Sequence, residues 1–286
     1  MRLKKENILP IIMNALREDI GNGDITSALI FDKDVTILAN IIANEACVLA
    51  GIDIARWIFN VLDERIDFKS FCDDASSIKK DKRVASLRGS AKAILSGERV
   101  ALNFLGRLSG IATLTNKFLE NTKGTGVDIF DTRKTTPGLR ELEKYAVKVG
   151  GGKNHRMGLW DGVLIKDNYL AAMRPYSIQD TLRKAGNKGY RNIEIEVSNL
   201  KEFKEALDAG ADIIMLDNMK VDDIRKAVRL KAIGHKLQGT SVILEVSGGV
   251  TLDNVRTIAK TGVDRVSIGS LTHSAPSIDF SLEILR

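Results

Sequence analysis

IEIEVSNLKEFKEALDAGADIIMLDN, residues 193–218, contains a full strand–helix–strand unit. IEIEV (193–197) and DIIML (212–216) are short apolar runs that read as strands. NLKEFKEALDAG (199–210) between them carries a helical pattern and closes on a glycine, as helices commonly do. The same grammar extends outward from this unit. VDIF (127–130) and GVLI (162–165) precede it, and VILEV (242–246) and DRVSI (264–268) follow, with TLDNVRTIAKTG (251–262) as a further helix. Strands separated by crossover helices predict parallel pairing and right-handed connections. Six or seven such units predict an α/β fold of the TIM-barrel type, here an incomplete one.

The residues before this repeat follow a different grammar. Ile8, Ile11, Ile12, Ala15 and Leu16 lie at helical spacing, and Gly21 and Gly23 end that pattern. VTILANIIAN (35–44) and ACVLAG (46–51) read as strands, residues 53–63 as a helix with Trp57 and Phe59, and residues 84–95 as another strand. A small α+β unit is therefore expected ahead of the barrel. Ser96 is expected to cap a long helix through VALNFLGRLSGIATLTNKFLENT (100–122), with Glu98 in its first turn. Position alone gives Arg99, on that helix, little functional weight.

Composition narrows the function. Apolar residues make up 44% and charged residues 28%, the values of an ordinary globular protein. No run approaches the roughly 18 apolar residues of a membrane helix, and MRLKKENILP lacks an apolar signal core, so a cytoplasmic protein without membrane association is expected. Cys47 and Cys72 show neither metal spacing nor a CxxC pattern. The net charge of +6 is concentrated, because residues 133–166 hold eight Lys/Arg against three acids. Concentrated charge points to a bound polyanion. The rest of the chain is nearly neutral and aromatic content is 5%, so no nucleic-acid surface is expected.

Ligands of such barrels sit at the carboxyl ends of the strands. Here those ends read Asp131-Thr132-Arg133-Lys134, Lys166-Asp167-Asn168, Glu194 and Glu196, Asp217-Asn218, Ser247-Gly248-Gly249 and Gly269-Ser270. Glycine turns after the last two strands suit phosphate, since bare backbone N–H groups can approach its oxygens. Glu194 and Glu196, two residues apart, share a strand face and need a cation, either lysine or a Mg2+ ion held together with Asp217. Arg133, Arg156 and Lys166, with His155 beside a glycine run, converge only if the barrel forms. Guanidinium forks match carboxylates, so two of them imply a substrate with more than one carboxylate or phosphate. His235 and His273 lack comparable company.

Assembled in this way, the chain resembles the nicotinate-nucleotide pyrophosphorylases, also called quinolinate phosphoribosyltransferases. The resemblance is carried by REDIGNGDITS (17–27), SGERVALNFLGRLSGIAT (96–113), DTRKTTPGLRELEKYAVKVGGGKNHRMGLWDGVLIKDN (131–168), IEIEVSNLKE (193–202), ADIIMLDN (211–218), LEVSGGVTLDN (244–254) and VSIGSLTHSAP (266–276). It implies transfer of phosphoribosyl from phosphoribosyl pyrophosphate to quinolinate with loss of CO2, on the de novo route to NAD. It implies Mg2+ as cofactor and a homodimer as the minimum assembly.

Matching positions would place Arg133, His155, Arg156 and Lys166 on quinolinate, with Arg99 reaching the neighbouring subunit's site. Lys134 would face the sugar phosphate. Glu196 and Asp217 would hold ribose hydroxyls and the metal, and Ser247, Gly248, Gly249, Gly269 and Ser270 the 5′-phosphate. Lys134, Lys166, Glu196 and Asp217 are the expected catalytic set. Arg140, Lys144, Lys148 and Lys153 are left with helix-surface or secondary roles. The implied domains are an α+β open-faced sandwich over 1–112, with 275–286 packing back on it, and a barrel over 113–274. Three features depart from the family pattern: Tyr169 after KDN, the RPYSIQ loop (174–179), and Gly106 in place of a common glutamine. A molybdenum-transport-associated paralogue sharing the barrel and the TRKT block is the nearest alternative.

Overall fold

The structure, a computed structural model, describes residues 3–173, 177–238 and 242–285. The chain divides into two compact units. One takes the residues up to 116 together with 135–151 and those from 270 onward; the other takes 117–134 and 152–269.

The first unit is built on a four-stranded antiparallel sheet in the order Phe280–Ile284, Thr36–Ala43, Lys82–Ser90, Asp67–Ser70. Its apolar face supplies Ile41, Ala43, Ala85 and Leu87 to the core. The helix Ile52–Leu62 adds Ile54, Ala55, Ile58 and Phe59, and Phe59 stacks 6.1 Å from the Phe68 ring. Gly51 caps that helix in the left-handed region at φ 99°. Asp74 accepts from the Gly51 and Ile52 amides at 2.9 and 3.0 Å, and so satisfies two N–H groups that a helix start leaves without partners. The predicted N-terminal helix is present as Lys5–Ile20 and buries Ile8, Ile12 and Leu16.

The expected boundary at Ser96 is displaced. The strand stops at Ser90 and the long helix runs Ala91–Thr122. Ser90 Oγ, not Ser96, accepts the amide of Ala93, at 3.3 Å, and Ala91 and Ile94 are fully buried as helical residues. Ser96 lies inside the helix and donates its hydroxyl to Asp24 at 3.1 Å. Burial of one helical face outweighed the partial alternation of residues 84–95.

Gly106 and Gly110 lie where residues 276–278 cross this helix. The Ile278 amide donates to the Gly106 carbonyl at 3.0 Å, and a Cβ at either glycine would strike the carbonyl of Ile278 or of Pro276. The departure at Gly106 thus has a steric reason.

A second correction concerns Lys144, given a helix-surface or secondary role, of which the structure excludes the surface one. The helix Arg140–Val149 buries Leu142, Glu143, Lys144, Ala146 and Val147, and Lys144 is fully enclosed. Beside it Glu143 takes Arg107 Nη2 at 2.7 Å, the Thr136 amide at 3.0 Å and the Thr136 hydroxyl at 2.8 Å. A buried carboxylate requires this degree of compensation.

The second unit is the barrel. Its six parallel strands are Asp128–Phe130, Leu164–Ile165, Glu194–Val197, Ile213–Asp217, Ile243–Ser247 and Arg265–Ser267. Each of the last five pairs with its neighbour in sequence, and the first pairs with the last, so the sheet curls round on itself. Among the described residues the first and second strands do not pair, and only a single bridge, Phe130 to Lys153, fills that side. The incomplete barrel read from the sequence is the fold observed. Ile129, Ile195, Val197, Ile214, Leu216, Leu244, Val246 and Val266 form its core. No described helix is long and apolar enough to cross a membrane.

Candidate active site

The carboxyl ends of the barrel strands carry the predicted residues, and the structure divides them between an interior cluster and an open rim. The interior cluster begins with Glu194, almost wholly buried on the third strand. Glu245 on the fifth and Arg265 on the last stand in register beside each other. His155 Nε2 lies 3.0 Å from Glu194 and 3.6 Å from Glu245, while Arg265 reaches Glu194 at 3.5 Å and contacts Glu245 directly. The Arg265 guanidinium also lies 5.0 Å over the Phe130 ring. Burial, and next the charge of Glu194, push the Glu245 carboxyl above its ordinary pKa, with Arg265 and His155 opposing.

The cation at Glu194, expected to be a lysine or Mg2+, is instead the Arg265 guanidinium, with the His155 imidazole alongside. The Arg156 amide donates to His155 Nδ1 at 2.9 Å, which leaves Nε2 as the nitrogen that carries the proton towards Glu194. Asp131, fully buried at the end of the first strand, accepts the His155 amide at 2.8 Å and the Asn154 side chain at 2.6 Å. These contacts fix the turn that presents Arg156.

The rim holds the remaining charges. Lys166 contacts Glu196, so the two glutamates of one strand face are neutralised by different cations. Arg156 donates Nη1 to the Gly162 carbonyl at 2.8 Å, while its buried Nε meets no hydrogen-bond acceptor among the described residues. Burial, and next the guanidinium of Arg133, lower the Arg156 pKa. Arginine remains charged regardless. Two guanidiniums that repel each other, one with a buried donor unmatched, form a place for an anion.

Two hollows open at this unit's surface. One, about 780 Å3, is bordered by Asp167, Asn168, Glu196, Ser198, Asn199 and Asp217. The other, about 660 Å3, is bordered by Arg156, Trp160, Tyr169, Lys184, Lys188 and Tyr190. Tyr169, one departure from the family pattern, therefore lies in the hollow that Arg156 borders. Of the 174–179 loop, residues 174–176 lie outside the described residues. Ser247 ends the fifth strand, and Gly248 and Gly249 follow in the left-handed region at φ 87° and 60°, a conformation suited to glycine. Gly269 and Ser270 follow the last strand. In the first unit, Arg99 is exposed, forms no ion pair with a described residue and borders a hollow of about 170 Å3. Lys134 is also exposed, its amide donating to Thr132 Oγ1 at 3.0 Å.

Two carboxylate sets could hold a metal ion. His155, Glu194 and Glu245 are the one trio within ligand distance among the described residues, but Arg265 already supplies the positive charge there. Glu196 and Asp217 instead border the same open hollow. That arrangement suits Mg2+, which binds through one or two carboxylates and takes its other ligands from water and phosphate oxygens.

Sequence reasoning missed Glu245 and Arg265 as members of the interior cluster. The available signal was a charged residue within each of two apolar strands, LEV and DRVSI.

An incomplete α/β barrel with a cationic strand-end rim, interrupted by carboxylates and followed by glycine turns, defines a protein that handles anionic, phosphate-bearing small molecules. Comparison with known proteins narrows the class. Residues 24–109 match the family described as Quinolinate phosphoribosyl transferase, N-terminal domain, and residues 111–283 match Quinolinate phosphoribosyl transferase, C-terminal domain. The chain is 43% identical over 269 residues to the probable nicotinate-nucleotide pyrophosphorylase [carboxylating] of Bacillus subtilis, covering 93% of this chain and 90% of that protein. It is 41% identical over 286 residues to the probable nicotinate-nucleotide pyrophosphorylase [carboxylating] of Methanocaldococcus jannaschii, covering 99% of each. The crystal structure of nicotinate-nucleotide pyrophosphorylase from Ehrlichia chaffeensis superposes with a TM-score of 0.92 at 40% identity, covering 100% of both chains. This chain belongs to the quinolinate phosphoribosyl transferase family.

Proposed function

We propose that this chain transfers the phosphoribosyl group of phosphoribosyl pyrophosphate to the ring nitrogen of quinolinate. Pyrophosphate and CO2 leave, and nicotinate mononucleotide is formed. The observation that carries the reading is the rim of the barrel, where the buried Nε of Arg156 meets no acceptor among the described residues while Lys166 sits on Glu196. A dicarboxylate substrate supplies the missing acceptor, and a cationic ribosyl transition state is stabilised by the carboxylates.

Arg133, His155, Arg156 and Lys166 hold the two carboxylates of quinolinate, and Nδ1 of His155 also fixes the Arg156 amide. Lys134 faces the phosphoribosyl donor. Departure of pyrophosphate builds oxocarbenium character on the ribose, so Glu196 and Asp217 lower the barrier electrostatically. The same two residues would hold Mg2+, whose charge offsets that of the pyrophosphate. Alkylation makes the ring a pyridinium, whose positive nitrogen stabilises the electron pair left on C2 when the 2-carboxylate departs as CO2, and that carbon then takes a proton from water. Backbone N–H groups of Ser247, Gly248 and Gly249, and of Gly269 and Ser270, bind the 5′-phosphate. No protein nucleophile takes part.

The test is incubation with quinolinate, phosphoribosyl pyrophosphate and Mg2+. Nicotinate mononucleotide and CO2 should appear in equal amounts, and nicotinate in place of quinolinate should give little turnover. Absence of product would refute the assignment.

The working unit is a homodimer in which Arg99 completes the neighbouring subunit's site. Apolar side chains left at the surface support this: Ile25, Leu29 and Ile30 on one short helix of the first unit, and Leu159 and Trp160 in the second. Arg99→Ala and Lys134→Ala chains, each inactive alone, should regain partial activity on mixing. No recovery after demonstrated subunit exchange would exclude sharing. The two free thiols, Cys47 and Cys72, suit a reducing compartment, and we place the protein in the cytoplasm.

A further inference from the structure

The strand Ile213–Asp217 ends on a proposed metal ligand, and the next residue, Asn218, has φ +51°. Left-handed backbone is unfavourable for a residue with a Cβ, and glycine would adopt it without that cost. Asparagine therefore needs a reason to be here, and its side chain supplies one.

The Asn218 backbone amide donates to the Ser247 carbonyl at 2.9 Å, carrying the pairing of the fourth and fifth strands one residue past their ends. Its side-chain Nδ2 donates to Asp217 Oδ2 at 2.8 Å. The rest of that amide lies against Gly248, where a Cβ would collide with Asn218 Oδ1 and Cγ. Gly248, itself at φ +87°, has no side chain in the way. One residue thus ties the Asp217 carboxylate to the Ser247–Gly248–Gly249 turn.

We infer that Asn218 is a positioning residue that locks the Asp217 carboxylate to the glycine turn, so that the metal and phosphate subsites for the phosphoribosyl donor are formed together. The inference rests on the function proposed above. With Oδ2 held by the amide, Oδ1 of Asp217, which takes no hydrogen bond from a described residue, would be left to a cation. A carboxylate free to rotate would lose that orientation, and with it binding strength.

Asn218→Gly separates this role from turn formation, because glycine keeps the left-handed backbone and removes only the amide. The variant should melt at or above the wild-type temperature and keep the wild-type KM for quinolinate. Its KM for phosphoribosyl pyrophosphate should rise roughly tenfold, the scale of one hydrogen bond to a charged group. Binding of Mn2+ in the presence of phosphoribosyl pyrophosphate alone, followed by electron paramagnetic resonance, should weaken by a similar factor without any turnover. Donor KM and Mn2+ affinity within twofold of wild type would overturn the inference and leave Asn218 as a turn residue. Equal weakening towards both substrates would also overturn it, since the effect would then be general. Wild-type protein that binds neither Mn2+ nor the donor would instead overturn the underlying reading of the site, and the inference with it.

Discussion

Arg156→Ala is expected to raise the KM for quinolinate by roughly 30- to 700-fold, the equivalent of about 2 to 4 kcal/mol for stranding a charge partner. The same substitution should leave thermal stability unchanged or slightly raised. Burial and the Arg133 guanidinium both disfavour the charge of Arg156 in the empty protein, so its removal relieves repulsion while sacrificing one bond to the Gly162 carbonyl. Structural residues behave oppositely, losing stability and activity together. Arg133→Ala should follow Arg156→Ala, and the double variant should lose less than the two singles combined, because each guanidinium relieves the other when removed. Steady-state kinetics with varied quinolinate at saturating donor, beside a melting curve, provide the measurement. Unchanged quinolinate affinity in either single variant would remove that residue from the clamp.

The interior cluster should show the reverse profile. Glu245→Ala is expected to destabilise the barrel unit by about 3 to 5 kcal/mol, the cost of breaking a buried ion pair by deleting one partner. Arg265 would keep only the more distant Glu194, at 3.5 Å, and His155 would lose one of the two carboxylates facing Nε2. Glu245→Gln should cost far less. Burial and Glu194 already bias the Glu245 carboxyl towards its neutral form, and the amide retains its shape. Denaturant titration of both variants distinguishes the cases. Equal destabilisation would mean that charge, and not shape, holds the cluster together.

How much of this was legible before the structure depends on the range of the interaction concerned. The barrel strands follow from short apolar runs bounded by glycine and polar residues, and those local signals place all six strands within a few residues. Strand ends carry the chemistry in this architecture, so Lys166, Glu196 and Asp217 could be singled out once the strands were placed. The boundary at Ser90 could not be placed in this way. Alternation over 84–95 and the helical period of the following residues overlap there, and burial of Ala91 and Ile94 decided the matter. Lys144 misled for a related reason, since a lysine reads as a surface residue unless the packing around its helix is known.

Residue types and their spacing along the chain determined, by themselves, the class of fold, the concentration of cationic residues in 133–166 and the identity of the carboxylates and glycine turns at the strand ends. Tertiary structure alone decided which charge meets which: Lys166 on Glu196, Arg265 across Glu194 and Glu245, His155 turned towards that pair, and Asn218 between Asp217 and Gly248. The physical reason is that charge pairing in a barrel follows the register between strands and the inward direction of side chains. Both are fixed by hydrogen bonds and burial among segments far apart in sequence, and a linear pattern of residues does not contain them.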